Sequence, residues 1–382
     1  MLYQLIIAGF LLVFLVNLIL NLRSLRVPLA NSKAPEPAPL VSVLIPARDE
    51  GANIASCLES LQRQDYPNFE ILVLDDNSSD DTAAIVRRIA FGDNRVRLIN
   101  GKPLPKGWAG KSFACHQLAS EARGDWFLFT DADTTHAPHM LRSVLSLALE
   151  LKTSLLSGFP RQLANSLLQK IATPVWYFII MSWMPIWLLQ RSRLPKMSMS
   201  IGQFLFFPRD EYRRIGGHEA VKSRVLEDIW LGIETNRHGG RHMAVDLSSV
   251  VSCNMYRNLG DTWKGLARSI YSVALLSPAA LVGLIIAAYL LFLSPFYALW
   301  NELFVFPTPS AWRNVIIFQV SVIMAMRWLV DSHFRNPLIS TLMHPLGFSF
   351  LILDVIYALS CRILGTGVQW KDRLYDRKAG VE

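Results

Sequence analysis

Three acidic stations stand out in the chain: Asp75-Asp76, Asp131-Ala132-Asp133 and Glu227-Asp228. Two carboxylates one residue apart, as at Asp131 and Asp133, can face one hard divalent cation. Mg2+ or Mn2+ takes such oxygen ligands and keeps substrate phosphates in its shell. Asp75 and Asp76 suit hydrogen bonds from a ribose or a base. A carboxylate of Glu227-Asp228, heading the helical stretch Ile229 to Arg237, could accept the proton of an attacking hydroxyl. Singly, each has a plainer alternative. The run from Asp75 to Asp80 could be a turn and a helix N-cap, Asp131-Ala132-Asp133 a solvated loop, and Glu227-Asp228 a capping pair. Their succession after apolar strands is what points to a site.

Those strands read from the pattern of the surrounding residues. Val41 to Ile45, Phe69 to Leu74, Arg95 to Ile99 and Trp126 to Thr130 are short apolar runs rich in β-branched and aromatic residues. Between them, Ala52 to Gln62, Asp80 to Ala90 and Ser112 to Ala122 carry helical spacing, with Asn77-Ser78-Ser79 as a capping turn. Alternating elements with nearly continuous apolar strands predict an α/β domain, a mostly parallel sheet flanked by helices. Ligands bind such sheets beyond the carboxyl ends of the strands, where Asp75-Asp76 and Asp131-Ala132-Asp133 fall.

Hydrophobic residues make up 52% of the chain and charged residues 18%, and the apolar excess is concentrated in runs near the two ends. Leu2 to Leu22 is long enough to span a bilayer. Arg23 and Arg26 follow it and nothing basic precedes it, which predicts a retained anchor with the next domain in the cytoplasm. Ser272 to Tyr297, Val315 to Val330 and Leu342 to Ile363 are comparable runs. Three full crossings would put the tail with Lys371 and Arg373 outside, against the positive-inside rule, so one run is expected to be re-entrant or interfacial. Leu342 to Ile363, holding His344, Pro345 and Asp354, is the suspect. Ile171 to Leu189, with Pro174, Pro185 and three tryptophans, reads as an interfacial helix pair. The expected organisation is an anchor at 1–22, a linker at 23–39, and a domain at 40–257 with an interfacial segment at about 171–190. An interfacial segment at 258–271, a transmembrane region at 272–364 and a basic tail at 365–382 follow.

The net charge of +8 lies largely beside the apolar runs, which suits anionic lipid headgroups and excludes a nucleic-acid partner. Cys57, Cys115, Cys253 and Cys361 are scattered without metal-ligand spacing, as reduced core or membrane thiols.

The run Val43 to Glu50, then Leu74-Asp75-Asp76-Asn77-Ser78-Ser79-Asp80, Thr130-Asp131-Ala132-Asp133 and Glu227-Asp228 resembles the family 2 glycosyltransferases of GT-A fold. The resemblance implies a nucleotide-sugar donor. Pro46, Arg48 and Glu50 then resemble the first nucleotide-contacting loop, and Asp76, with Asp75 beside it, the nucleoside-binding carboxylate. Asp131 and Asp133 resemble the diphosphate–metal motif. Asp228, with Glu227 as neighbour, resembles the catalytic base of an inverting displacement. Gly107-Trp108-Ala109-Gly110-Lys111 and Trp370-Lys371-Asp372-Arg373-Leu374-Tyr375 resemble the membrane-bound subgroup associated with bacterial carotenoid and hopanoid biosynthesis. Lys111, at a helix start, could reach a donor phosphate or be a surface lysine.

Gly202 to Phe207 reads as a strand, and the resemblance implies that this region faces the acceptor. Gln203 and Phe204, with Trp108, are the expected contacts of a lipid-like acceptor drawn from the bilayer; core packing is the alternative for the phenylalanines. His218 is either a diphosphate or acceptor contact or a loop histidine. Processive synthases carry Gln-x-x-Arg-Trp, whereas Arg327-Trp328 follows Ile323-Met324 inside an apolar run. Transfer of a single sugar is therefore expected, ahead of polysaccharide synthesis or an idle membrane scaffold. A nucleotidyltransferase would need a Gly-rich phosphate loop after the first strand, and there is none.

Overall fold

A computed structural model describes residues 2–192, 197–224, 226–256, 258–276, 278–305, 310–370 and 373–375. Arg257, Lys371 and Asp372 lie outside the described residues. The chain divides into two compact units. One holds Leu25–Leu163 and Leu188–Met255; the other holds Ala164–Trp187 with the two terminal regions. The apolar segment expected as part of the central domain thus groups with the terminal helices.

The first unit is built on strands β1 (Val41–Ala47), β2 (Phe69–Asp75), β3 (Val96–Asn100), β4 (Trp126–Thr130), β5 (Thr134–His136), β6 (Leu155–Phe159), β7 (Arg161–Gln162), β8 (Phe204–Pro208), β9 (His242–Asp246) and β10 (Val251–Cys253). Seven of them form one sheet in the order β3-β2-β1-β4-β8-β6-β9, and β5, β10 and β7 form a small second sheet. β3, β2, β1 and β4 are parallel, so Ala47, Asp75 and Thr130 end at one edge. β8 runs antiparallel to both neighbours.

Side-chain alternation divides the core across the large sheet. Val43, Ile45, Ile71, Val73, Leu128, Phe204 and Phe206 pack with the helices Ile54–Gln62 and Met140–Leu151 on one face. Leu44, Leu72, Leu74, Phe127, Phe129, Leu205 and Phe207 pack with the helix Gly110–Glu121 and with Tyr212 on the other. A strand covered on both faces needs apolar residues at every position, which is why Phe204-Leu205-Phe206-Phe207 shows no polar alternation. Within β2, Glu70 is the charged residue ahead of the closing Asp75. It accepts hydrogen bonds from Ser42 Oγ (2.7 Å) and Arg123 N (2.8 Å), and its 2.9 Å ion pair with Arg123 ties the start of the sheet to the segment before β4.

In the second unit, Leu2–Ser24, Leu281–Phe304, Ala311–His333 and His344–Leu364 are long and apolar enough to cross a membrane, which associates the chain with a bilayer. The run suspected of being re-entrant is one helix, His344–Leu364. Pro345 lies in its first turn, where the missing N–H has no intrahelical acceptor to lose. In the stretch Ile171 to Leu189, expected as a helix pair, Leu167–Ala172 is followed by two helices, Pro174–Trp183 and Ile186–Ser192. Pro185 interrupts the last two, and the N-terminal helix repairs the break. Asn17 Nδ2 donates to Ser182 O at 2.8 Å, and Asn21 Nδ2 donates to Met181 O and Met184 O at 2.8 and 2.7 Å. In turn Asn21 Oδ1 accepts from Trp187 N and Asn17 Oδ1 from Trp187 Nε1, both at 3.1 Å. The two asparagines that interrupt the first apolar run thus satisfy backbone groups that an apolar medium would leave unpaired.

Candidate active site

The loops leaving β1 and β2 are stitched together side by side. Arg48 Nη1 donates to Asp76 O (3.1 Å), with the Asp76 carboxylate 4.0 Å away. Asp49 N donates to Ser78 Oγ (3.0 Å), while Asp49 Oδ1 accepts from Ser79 N (2.7 Å) and Ser79 Oγ (3.0 Å). Glu50 N donates to Thr82 Oγ1 (2.8 Å) and Gly51 N to Asp80 Oδ2 (2.9 Å). Asp49 and Asn77 both have positive φ, 52° and 56°, a backbone state held here by these cross-links. Pro46 pairs in register with Leu74 just before the loops diverge. Asp76 is buried beside the half-exposed Arg48 guanidinium, and Glu50 is buried with its carboxylate accepting from Asn53 Nδ2 at 2.9 Å. The result is a rigid, polar, partly cationic rim beyond two parallel strands.

Beyond β4 the chain turns sharply. Asp131 O accepts from Thr134 Oγ1 (2.7 Å), and Thr130 Oγ1 donates to Gln203 O (2.9 Å). The turn then enters β5, which pairs antiparallel with β10, setting Thr134 opposite Cys253. Cys253 Sγ in turn lies 3.4 Å from Asp133 Oδ1. Burial, Asp133 and Asp131 raise the Cys253 thiol well above its ordinary range, so it is a protonated donor.

Lys111 joins the stations. Its Nζ lies 2.7 Å from Asp131 Oδ1 and 3.4 Å from Glu227 Oε1. Burial works against the ammonium charge, but Asp131 and Glu227 hold it well above the usual lysine range. The helix Glu227–Arg237 presents the acidic pair in its first turn, where carboxylates are favoured. Asp228 Oδ2 accepts from Gly202 N (2.7 Å) and Oδ1 from Ile229 N (2.8 Å). Burial and then Glu227 push the Asp228 carboxyl up to about 7, against the opposing pull of Lys111 and the two backbone donors. Gly202 has a steric reason: a Cβ there would lie 3.2 Å from both Asp228 Oδ2 and Lys111 Nζ.

The fold therefore brings Asp131, Glu227 and Asp228 around one ammonium, with Asp133 two residues on and Asp76, Arg48 and Glu50 on the neighbouring loops. Asp75 closes β2, and its Oδ1 accepts from Ser78 N at 3.3 Å. Two carboxylates of the Asp131-Ala132-Asp133 turn offer hard oxygen donors. Among the described residues no three His, Cys, Asp or Glu side chains converge as a metal cage. That donor set fits Mg2+ or Mn2+ completed by phosphate oxygens.

Two expected acceptor contacts are corrected. Phe204 is fully buried in the core, and Gln203 is 4% exposed, locked between Gln162 and Cys253, so neither offers a surface. Trp108 is half-buried against Phe113 and His116 on the loop before Lys111. His218 is a core histidine, its Nδ1 2.8 Å from Tyr212 Oη and its ring 4.7 Å from that of Phe129. Asp49, Ser78, Ser79, Gly202 and Cys253 had no site role of their own in the sequence. For Asp49 the signal was its place between Arg48 and Glu50; for the others only tertiary register reveals the role.

A mixed sheet of this order, helices on both faces and acidic stations on one edge define the GT-A class of α/β fold. Residues 42–216 match the family model Glycosyl transferase family 2. It is 28% identical over 194 residues to 4,4'-diaponeurosporenoate glycosyltransferase of Staphylococcus haemolyticus, covering 50% of each chain. It is 34% identical over 111 residues to beta-monoglucosyldiacylglycerol synthase of Trichormus variabilis, covering 28% of this chain and 23% of that protein. The chain thus matches half or less of the length of these relatives. Among solved structures, a mannosyltransferase from Pyrobaculum calidifontis in complex with GDP-Man and Mn2+ superposes with a TM-score of 0.54 at 18% identity. The likeness covers 94% of this chain and 98% of that one, and it is a likeness of fold.

Proposed function

We propose that the protein transfers a single sugar from a nucleoside-diphosphate sugar to a hydroxyl or carboxyl group of a lipid-like acceptor, a carotenoid or other isoprenoid, with inversion at the anomeric carbon. The observation that carries this reading is Lys111 bridging Asp131 and Glu227 beside Asp228. It sets a phosphate-side station and a proton-accepting station around one cation. Arg48, Glu50, Asp75 and Asp76 would hold the nucleoside, and Lys111 would exchange its carboxylate partners for donor phosphate. Asp131 and Asp133 would hold Mg2+ or Mn2+, which supplies charge neutralisation on the leaving diphosphate.

Asp228 accepts the acceptor proton as the acceptor oxygen forms its bond to the anomeric carbon. The bond from that carbon to the phosphate oxygen breaks, and the nucleoside diphosphate departs with the electron pair. A carboxyl raised to about 7 suits a base working near neutrality. The four apolar helices and the lipid-linked names among the relatives support an acceptor drawn from the bilayer. The charge beside the first helix supports a multi-pass protein of the cell membrane with its catalytic unit in the cytoplasm.

The test is to incubate membranes containing the protein with labelled nucleotide sugars and identify the product by mass spectrometry, expecting one sugar per lipid. Asp228→Asn should abolish transfer while donor binding survives, and near-normal turnover in that variant would sink the assignment. Asp133→Ala should weaken metal-dependent donor binding.

A further inference from the structure

Beside the acidic turn, a directed chain of hydrogen bonds ends on Asp133. The small sheet sets Gln162, Cys253 and Thr134 in one row, since Cys253 pairs with Gln162 on β7 and with Thr134 on β5. Gln162 Nε2 donates to Gln203 Oε1 at 2.9 Å. Gln203 Nε2 donates to Cys253 Sγ at 3.0 Å, and Cys253 Sγ donates to Asp133 Oδ1 at 3.4 Å. All three donors run one way. Gln203 is 4% exposed and Cys253 fully buried. A buried amide is costly unless paired, and an apolar residue of similar size would pack the site as well, so packing alone does not account for Gln203. With the Gln203 amide on the sulfur, the Cys253 proton is left to point at the carboxylate. The same Gln203 is tied through its main-chain oxygen to Thr130 Oγ1 at 2.9 Å, so both ends of the acidic turn are held by one residue.

We propose that Cys253 and Gln203 are positioning residues that fix the Asp133 carboxylate for a divalent cation and its diphosphate; this rests on the reading of Asp133 as a metal ligand. Partners one shell beyond a ligand orient it, and their loss commonly lowers metal affinity 10- to 100-fold. A thiol in place of an aliphatic side chain gives β10 a small buried residue that also donates.

The experiment uses the full chain purified in detergent, with free Mn2+ followed by electron paramagnetic resonance in the presence of UDP or GDP. Cys253→Ala and Gln203→Leu are each expected to weaken Mn2+ uptake by about tenfold. The double variant should be little worse than either alone, because both break one chain. Cys253→Ser should restore uptake to within about threefold, since a hydroxyl still donates. A second readout needs no metal. The S–H stretching band lost in Cys253→Ala should lie at a lowered, hydrogen-bonded frequency and move upward in Asp133→Ala. Equal Mn2+ uptake by wild type and Cys253→Ala, or an unmoved S–H band, overturns the positioning role. Absence of Mn2+ uptake by wild type with either nucleotide overturns the metal reading of Asp133 and the positioning role with it.

Discussion

Replacing Lys111 with methionine removes a cation that counters the burial of Asp228. The distance follows from Gly202. Both Lys111 Nζ and Asp228 Oδ2 lie 3.2 Å from the point where a Cβ would stand, so the charges are at most about 6.4 Å apart, twice that reach. At an effective dielectric constant of about 20 such a pair is worth about 2.6 kcal/mol, or roughly two pH units. The Lys111 side chain is 38% exposed, and solvent screening brings the expected shift to about one to two units. The direction follows from the role: a base is active when deprotonated, so activity falls as the pH drops through its pKa. The wild-type rate at limiting acceptor, with donor and metal saturating, should therefore rise with pH as the raised Asp228 carboxyl loses its proton. In Lys111→Met the midpoint should move upward, and Lys111→Arg, which keeps the charge, should leave it near the wild-type position. Donor saturation separates this effect from weakened donor binding. An unmoved midpoint in Lys111→Met would refute either the role of Asp228 as base or its coupling to Lys111.

Gly202→Ala should lower turnover about tenfold while shifting the melting temperature by only a few degrees, because its methyl displaces Asp228 and Lys111 by tenths of an ångström; full turnover would show that the close approach is idle. Phe204→Ala opens a cavity in the core and should cost about 3–5 kcal/mol of stability, read by denaturation, with the acceptor KM of the folded fraction unchanged. Burial holds His136 and His218 down at about 3 and His242 at about 4, whereas the unfolded chain takes up these protons near 6.5. Stability is then whole above about 6.5 and falls as the pH drops toward 4, by at most about 4 kcal/mol per pH unit from the three together. A melting temperature flat across that window would contradict their burial as neutral rings, and His242→Gln should soften the slope.

Strands β1, β2 and β4 of the large sheet were legible from sequence because each is a local apolar run, and a parallel sheet buried on both faces demands one; the edge strand β3, with Arg97 and Asn100 exposed, carries only the shorter signal of Val96, Leu98 and Ile99. Asp75-Asp76 and Asp131-Ala132-Asp133 were legible for a related reason: charged residues directly after such a run have to stand at a strand end. Phe204 shows where the reasoning fails. Four successive apolar residues fit a substrate-lining wall and a strand enclosed between two cores equally well, and only the pairing of β8 with both β4 and β6 decides. Gln203 was read from its neighbours in the chain, yet its partners are 41 and 50 residues away. Lys111 was assigned to phosphate from its place at a helix start, and that argument could not reveal its pairing with Glu227, which needs two helices to meet across the end of β4. What local sequence conveys is which side chains are able to do chemistry. Which of them share a proton or a cation is set by register, and register is carried by the apolar residues between them.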